Sequence, residues 1–294
     1  MILCLFCVYL INGRNLMRIF LPKWSISRAP TASPWRIVTW AASGRFIGGL
    51  LDACRLLSIP FATMHYCLVC ARLQPLPACI VQCQAGIYAT LRDIWATRFM
   101  REAVTGLLKT PLRTAALSLV DADGLTAVQG GCVIAVCHSP WFRWLAEWCR
   151  DRNAARVVAG DDWIWRTRGV NVLAGYHDVR ALVEHLRNGG RAIVVADVFD
   201  AAHGCTVNFL GRQRRVSLLS ARLAALAGVP LVAMLPSRHA HRIRLECGRR
   251  FQVGANNQDA VMREMLAFYE NEICRRPALW SHATKDARST GGSS

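Results

Sequence analysis

Lysine and acidic side chains are scarce in this chain. Its 294 residues include 36 basic ones, only three of them lysine, against 19 acidic, for a net charge of +17. The shortage of acid is uneven: residues 1–92 hold nine Arg or Lys and a single acid, Asp52. Such a balance raises nucleic acid as a partner. No zinc-finger, RNP or P-loop spacing accompanies it, and the ten tryptophans are scattered, not interleaved with a basic stripe. No nucleic-acid partner is therefore expected.

Long apolar runs are missing too. Hydrophobic content is 53% and mean hydropathy +0.23, yet no stretch reaches the roughly 18 uninterrupted apolar residues of a spanning helix. Residues 1–12 are apolar but short and lack a positive n-region, so a cleaved secretory signal is not expected. Metal-ligand spacing is absent as well. Cys67-Leu68-Val69-Cys70 has no second pair to complete a zinc site, and His177, His185 and His203 stand at no ligand spacing. No metal and no cofactor are expected. Thirteen cysteines in a chain this long and not evidently secreted read as reduced thiols in a cytosolic setting. Cys132, Cys137, Cys205 and Cys247 lie in or beside apolar segments and read as small core hydrophobes.

Composition divides the chain into a basic, apolar region over 1–95, a domain over 96–286, and a polar Gly/Ser tail over 287–294 that reads as disordered. The first region mixes its arginines with weakly amphipathic segments, Phe46 to Ile59 and Ile80 to Leu91. That mixture reads as a surface for anionic lipid headgroups. Its alternatives are a solvated basic tail and, from the Ser- and Arg-bearing residues 24–46, an organellar transit peptide.

Two segments carry the rest. In Gly130-Gly131-Cys132-Val133-Ile134-Ala135-Val136-Cys137-His138-Ser139-Pro140-Trp141, a buried strand over 132–137 ends on a histidine. Ser139 is placed as an N-cap and Pro140 in the first turn of a helix over 140–152, with Trp141, Leu145 and Trp148 facing the core. His138 thus falls at a strand's carboxyl end, where open α/β sheets put their chemistry; its bland alternative is a histidine packed in a turn. In residues 178–236, a helix (Val179, Leu182, Val183, Leu186) stops at Gly189-Gly190, and a strand over 192–195 runs into Asp197. A polar loop then leads to Asn208-Phe209-Leu210-Gly211 and a basic loop, followed by a helix over 218–227 and a strand over 231–235. This rhythm predicts an α/β fold: a mainly parallel mixed sheet flanked by helices, with an N-terminal helical membrane-associating region.

Five landmarks in order resemble the bacterial lipid A biosynthesis acyltransferases, the lauroyl/myristoyl branch of the lysophospholipid acyltransferase superfamily. They are Asp121-Ala122-Asp123-Gly124-Leu125 before the Gly-Gly strand ending in His138; Trp165-Arg166-Thr167-Arg168-Gly169; Asp197 at a strand end; Phe209-Leu210-Gly211 with Ser217; and Arg276-Pro277-Ala278-Leu279-Trp280-Ser281-His282. The resemblance covers about residues 96–286. It implies transfer of a fatty acyl chain from acyl carrier protein or CoA to a hydroxyl of a glycolipid, at the cytoplasmic face of the bacterial inner membrane. One departure stands out: the family's acid at the fifth residue after the histidine is replaced by Arg143.

Acyl transfer needs a base for the attacking hydroxyl, and histidine suits it because its unperturbed pKa is about 6.5. If Arg143 lies close to it, His138 is expected to titrate lower. Asp197 is the best substitute acid and Glu147 a weaker one; alternatively Asp197 caps a loop and Glu147 pairs with Arg143 on the helix surface. The resemblance implies a catalytic arginine at Arg168 or Arg166, the other binding substrate or lying in solvent. Arg212, Arg214 and Arg215, with Ser217, are placed to hold lipid phosphates or the acidic face of acyl carrier protein; a solvated charge run is the alternative. Whole-protein readings remain three: an acyltransferase, a silent relative that binds lipid or carrier only, and a basic nucleic-acid binder. The charge distribution makes the first prediction. The protein is expected to pellet with anionic vesicles and to be partly released by salt, because exposed charges are screened over about 10 Å at 0.1 M. Equal binding to neutral and anionic vesicles, unmoved by salt, would remove the electrostatic attraction from the account.

Overall fold

Five consecutive apolar residues form the centre of the sheet. Cys132–Val136 (β2) is buried at every position, as a strand covered on both faces must be. The computed structural model describes residues 35–83, 86–108, 113–121, 123–126, 128–158, 176–199, 204–239 and 242–283, with the backbone alone over 35–47. Residues 1–46 and 47–294 fall into separate units, and the second carries the sheet.

The sheet adds Val120–Asp121 (β1), Arg156–Val158 (β3), Arg191–Val195 (β4), Leu231–His239 (β7) and Arg242–Phe251 (β8), in the order β1-β8-β7-β2-β4-β3. β2 runs parallel to both of its neighbours, β4 and β7, and β8 is antiparallel to β7. The three strands read from sequence are thus adjacent in one mainly parallel mixed sheet flanked by helices, as expected. Register decides what this adjacency accomplishes. Val136 is opposite Val195, so two further residues along each strand bring His138 across from Asp197 at the same carboxyl edge. A one-residue slip would turn the aspartate to the other face.

Residues 204–217 differ from the loops expected there. They form an antiparallel hairpin, Gly204–Phe209 (β5) and Arg212–Ser217 (β6). Cys205, Val207 and Phe209 turn inward while Thr206 and Asn208 face solvent, and that outward half made the segment read as polar loop. Leu210 and Gly211, with φ of 53° and 75°, close the two-residue turn, which needs positive φ at both positions and so favours glycine.

Smaller corrections follow from local geometry. The helix after β2 is Phe142–Arg152, begun by Trp141 without a side-chain cap. Ser139 acts one turn earlier: its hydroxyl accepts from the Trp141 N–H at 3.2 Å and donates to the Pro236 carbonyl at 3.2 Å. Glu147 is not a surface group. It is buried, and its carboxylate receives Arg150 at 2.6 Å and Arg113 at 3.4 Å. Cys247 is exposed, whereas Cys132, Cys137 and Cys205 are buried as expected.

Ahead of the sheet lie the helices Trp35–Cys70, Ala78–Val81 and Ile87–Leu107. Leu51, Cys54, Ser58, Ala62 and His65 are buried along one side of the first, at the 3–4 residue spacing of a helix face. Its other side exposes Leu56, Ile59, Met64 and Tyr66. The window Gly48–Cys70, at mean hydropathy 1.3, is long and apolar enough to cross a membrane by length and composition, and 22% of it is buried. Asp52 and Arg55 hide it from a count of uninterrupted apolar residues. Of the second apolar segment, Ile80 and Leu91 turn inward and join the core cluster of the sheet.

At Gly131 the packing leaves no room for a side chain. A Cβ there would stand 2.0 Å from the carbonyl oxygen of Leu186, at the end of the helix Tyr176–Arg187. Backbone cannot yield as a side chain does, and forced overpacking typically costs about 1–3 kcal/mol. Gly131→Ala is therefore expected to lower stability by about that amount in denaturant unfolding. A midpoint equal to wild type would mean that β2 and this helix are not so closely packed.

Candidate active site

β2 and β4 deliver His138 and Asp197 to the same edge, and the two side chains meet. Asp197 is 1% exposed. Its Oδ1 accepts the His138 backbone N–H at 2.7 Å and faces His138 Nδ1 at 2.9 Å. An ionised carboxylate only accepts, so Nδ1 carries the proton in this contact and Nε2 is left as the basic nitrogen. Burial alone would depress the imidazole below its ordinary 6.5, but the hydrogen bond and charge of Asp197 outweigh burial and the net shift is upward. The lowering expected if Arg143 lay close is not found: burial and Asp197 set the shift. Arg143 sits half-buried on the first turn of the helix Phe142–Arg152.

A segment far along the chain packs against the pair. After the single 3₁₀ turn Pro277–Leu279, the Trp280 indole N–H donates to Asp197 Oδ2 at 2.8 Å. Ser281 gives its backbone N–H and its hydroxyl to the His138 carbonyl, both at 2.7 Å. The His282 ring lies edge-on to that of His138, with centroids 4.9 Å apart. Below them, the Tyr269 hydroxyl donates to the Ala135 carbonyl at 2.6 Å from the core.

The basic candidates separate by strand alternation. Arg212 and Arg214 are half-buried on the inward side of β6, and Arg215 is exposed on the other. The Arg214 guanidinium lies 4.9 Å from the centre of the Phe199 ring, and Phe199 packs on Phe209, which packs on Trp280. Arg214 is thus joined to the His138 site through an aromatic wall. The Ser217 hydroxyl accepts the Leu219 N–H at 3.3 Å and so serves the start of the helix Leu219–Ala227. Arg166 and Arg168 lie outside the described residues, as do the tail 287–294 and residues 1–34.

A histidine–carboxylate pair at a strand edge, flanked by aromatic rings, suits general-base chemistry of group transfer. The family model described as bacterial lipid A biosynthesis acyltransferase matches residues 129–285, more than half of the chain. The chain belongs to this family. No curated protein matches it. The match begins after Asp121–Leu125 and ends just beyond His282. Within this acyltransferase family member, the sequence reading found His138 and Asp197 but gave Trp280, Ser281 and His282 no role. Their only signal was the Pro-x-x-Trp-x-His pattern, and nothing in it names Asp197 as a partner. Tyr269 carried no signal at all, since its position is that of one more core aromatic on the helix Gln258–Arg275.

Asp197→Asn removes the charge that raises the His138 pKa while keeping an oxygen at the site. Burial then dominates, so the ring should titrate at lower pH than in wild type in an NMR titration. If His138 is the base, it must be neutral to act. The acid limb of activity should follow the ring downward, and the rate should fall by about 10³–10⁴, as when a triad aspartate is amidated. An unchanged His138 titration would break the assignment of its partner.

Proposed function

We propose that this chain is a membrane-associated O-acyltransferase that moves a fatty acyl chain from acyl carrier protein, or CoA, to a hydroxyl of a glycolipid such as a lipid A precursor. The observation that carries this reading is the 2.9 Å contact of His138 Nδ1 with the buried Asp197 in a member of this acyltransferase family. In the proposed step, Nε2 takes the proton of the acceptor hydroxyl as its oxygen attacks the thioester carbonyl. The C–S bond then breaks, the departing thiolate takes the proton back from the imidazolium, and the new ester is released. Arg168, with Arg166 as its alternative, is the proposed stabiliser of the oxyanion. Arg212, Arg214, Arg215 and Ser217 are proposed to hold phosphates of the acceptor or the acidic face of the carrier.

The work is proposed to occur at the cytoplasmic face of the bacterial inner membrane. Supporting this are the outward apolar side of the helix Trp35–Cys70, with Leu56, Ile59, Met64 and Tyr66 exposed, and the acid-poor charge of residues 1–92. Such a helix can lie in the interface plane with its apolar side among the acyl chains.

Arg143 at the motif acid's position favours one competing reading, a relative that binds lipid or carrier without turnover. That reading expects no carboxylate within hydrogen-bond reach of His138, and Asp197 is within reach. Transfer from labelled acyl carrier protein decides between them. Wild type should turn over, His138→Ala should lose activity by about 10³-fold or more, and Arg143→Glu should change the rate only modestly. Equal rates for wild type and His138→Ala would leave the binding-only reading. A large gain in Arg143→Glu would mean that the native site is impaired for want of the motif acid.

A further inference from the structure

The catalytic reading of His138 and Asp197 leaves open what holds the aspartate in place. A carboxylate rotates readily about its last side-chain bond, since such torsions are broad. Oδ1 receives two contacts from His138, at the backbone N–H (2.7 Å) and at Nδ1 (2.9 Å). Both act on one oxygen, so Oδ2 needs a donor of its own for the carboxylate to be held at both ends. At Oδ2 stands the Trp280 indole N–H, 2.8 Å away. Indole only donates, so this contact is satisfied by an acceptor oxygen and resists exchange of roles. Asp197 is 1% and Trp280 3% exposed, which leaves solvent little access to replace the bond.

We propose that Trp280 is a positioning residue: its N–H fixes the Asp197 carboxylate with Oδ1 on His138, and thereby sets the tautomer and basicity of the imidazole. Packing alone does not call for that N–H, because a phenyl ring, though smaller, could also pack edge-on between Phe209 and His282, whose centroids lie 5.8 Å and 5.6 Å from the Trp280 ring. The next residue shares the task. Ser281 grips the His138 carbonyl with two donors at 2.7 Å, so consecutive residues of one turn hold the histidine's backbone and its acid. Upstream, Pro277 opens the 3₁₀ turn, and its carbonyl accepts the Trp280 N–H of the main chain at 3.1 Å.

The inference rests on the His138–Asp197 pair being the catalytic dyad, and the test separates the two. In Trp280→Phe, kcat is expected to fall by about 10–100-fold, the range of a hydrogen bond to a charged group, with KM little changed. A carboxylate released to rotate spends less time on Nδ1, so the His138 ring should titrate at lower pH than in wild type. In the Asp197→Ala background there is nothing to position, and adding Trp280→Phe should leave the ring's titration where Asp197→Ala puts it. An unmoved or raised titration in the single variant, or an equal shift in both backgrounds, overturns the proposal. Should Trp280→Phe fail to fold, wild type labelled with ¹⁵N-tryptophan supplies the reading. One of the ten indole N–H resonances should titrate with the midpoint of His138 and shift in Asp197→Asn; its absence overturns the proposal equally. Full activity in His138→Ala would instead remove the dyad reading itself.

Discussion

A buried carboxylate organises this molecule. Removing an ionised carboxylate from water is costly unless donors replace its hydration, and Asp197 is almost wholly enclosed. Its replacements are three donors from two places in the chain: the backbone N–H and ring of His138 after β2, and the indole of Trp280 near the end of the described chain. Each must arrive within hydrogen-bond distance at once. The register of β2 with β4, the turn after β2 and the 3₁₀ turn at 277–279 are therefore parts of one arrangement, and disturbing any of them leaves charge buried without its partner.

The same arrangement accounts for a histidine that has kept an acid although the neighbouring helix offers Arg143 at the family's acidic position. In a parallel sheet, residues at equal distance beyond paired strands face each other across the edge. Val136 opposite Val195 makes Asp197 available to His138 without any residue of the helix Phe142–Arg152. Glu147, on that helix, is committed to Arg113 and Arg150. The hydrogen-bond partner of the imidazole thus comes from beyond a strand end and is closed from solvent.

Local sequence was a good guide where structure is locally encoded. The strands over 132–137, 192–195 and 231–235 were legible because buried parallel strands are short apolar runs punctuated by Gly or Pro; the run of the last one on to His239, paired with β8, was not. The helices around 142–152, 176–187 and 219–227 were legible because one face is apolar at helical spacing. The hairpin 204–217 was not. Half of β5 faces solvent and β6 is rich in arginine, so polarity concealed a period of two. The helix Trp35–Cys70 was blurred in the same way by Asp52 and Arg55, which pair with each other at 3.7 Å on its exposed side.

By itself, then, the sequence determined the α/β rhythm, the histidine at a strand's end, the aspartate at another's, and a basic, acid-poor N-terminal region. The first three depend on patterns spanning a few residues, the last on composition alone. Tertiary structure alone decided that His138 and Asp197, 59 residues apart, share one oxygen, and that Trp280, 83 residues beyond Asp197, holds the other. It also decided the direction of the His138 shift, upward under Asp197 against the pull of burial. The reason is physical: a pKa and a hydrogen bond depend on distances of a few ångströms between groups that chain order leaves far apart, and strand register with helix packing sets those distances.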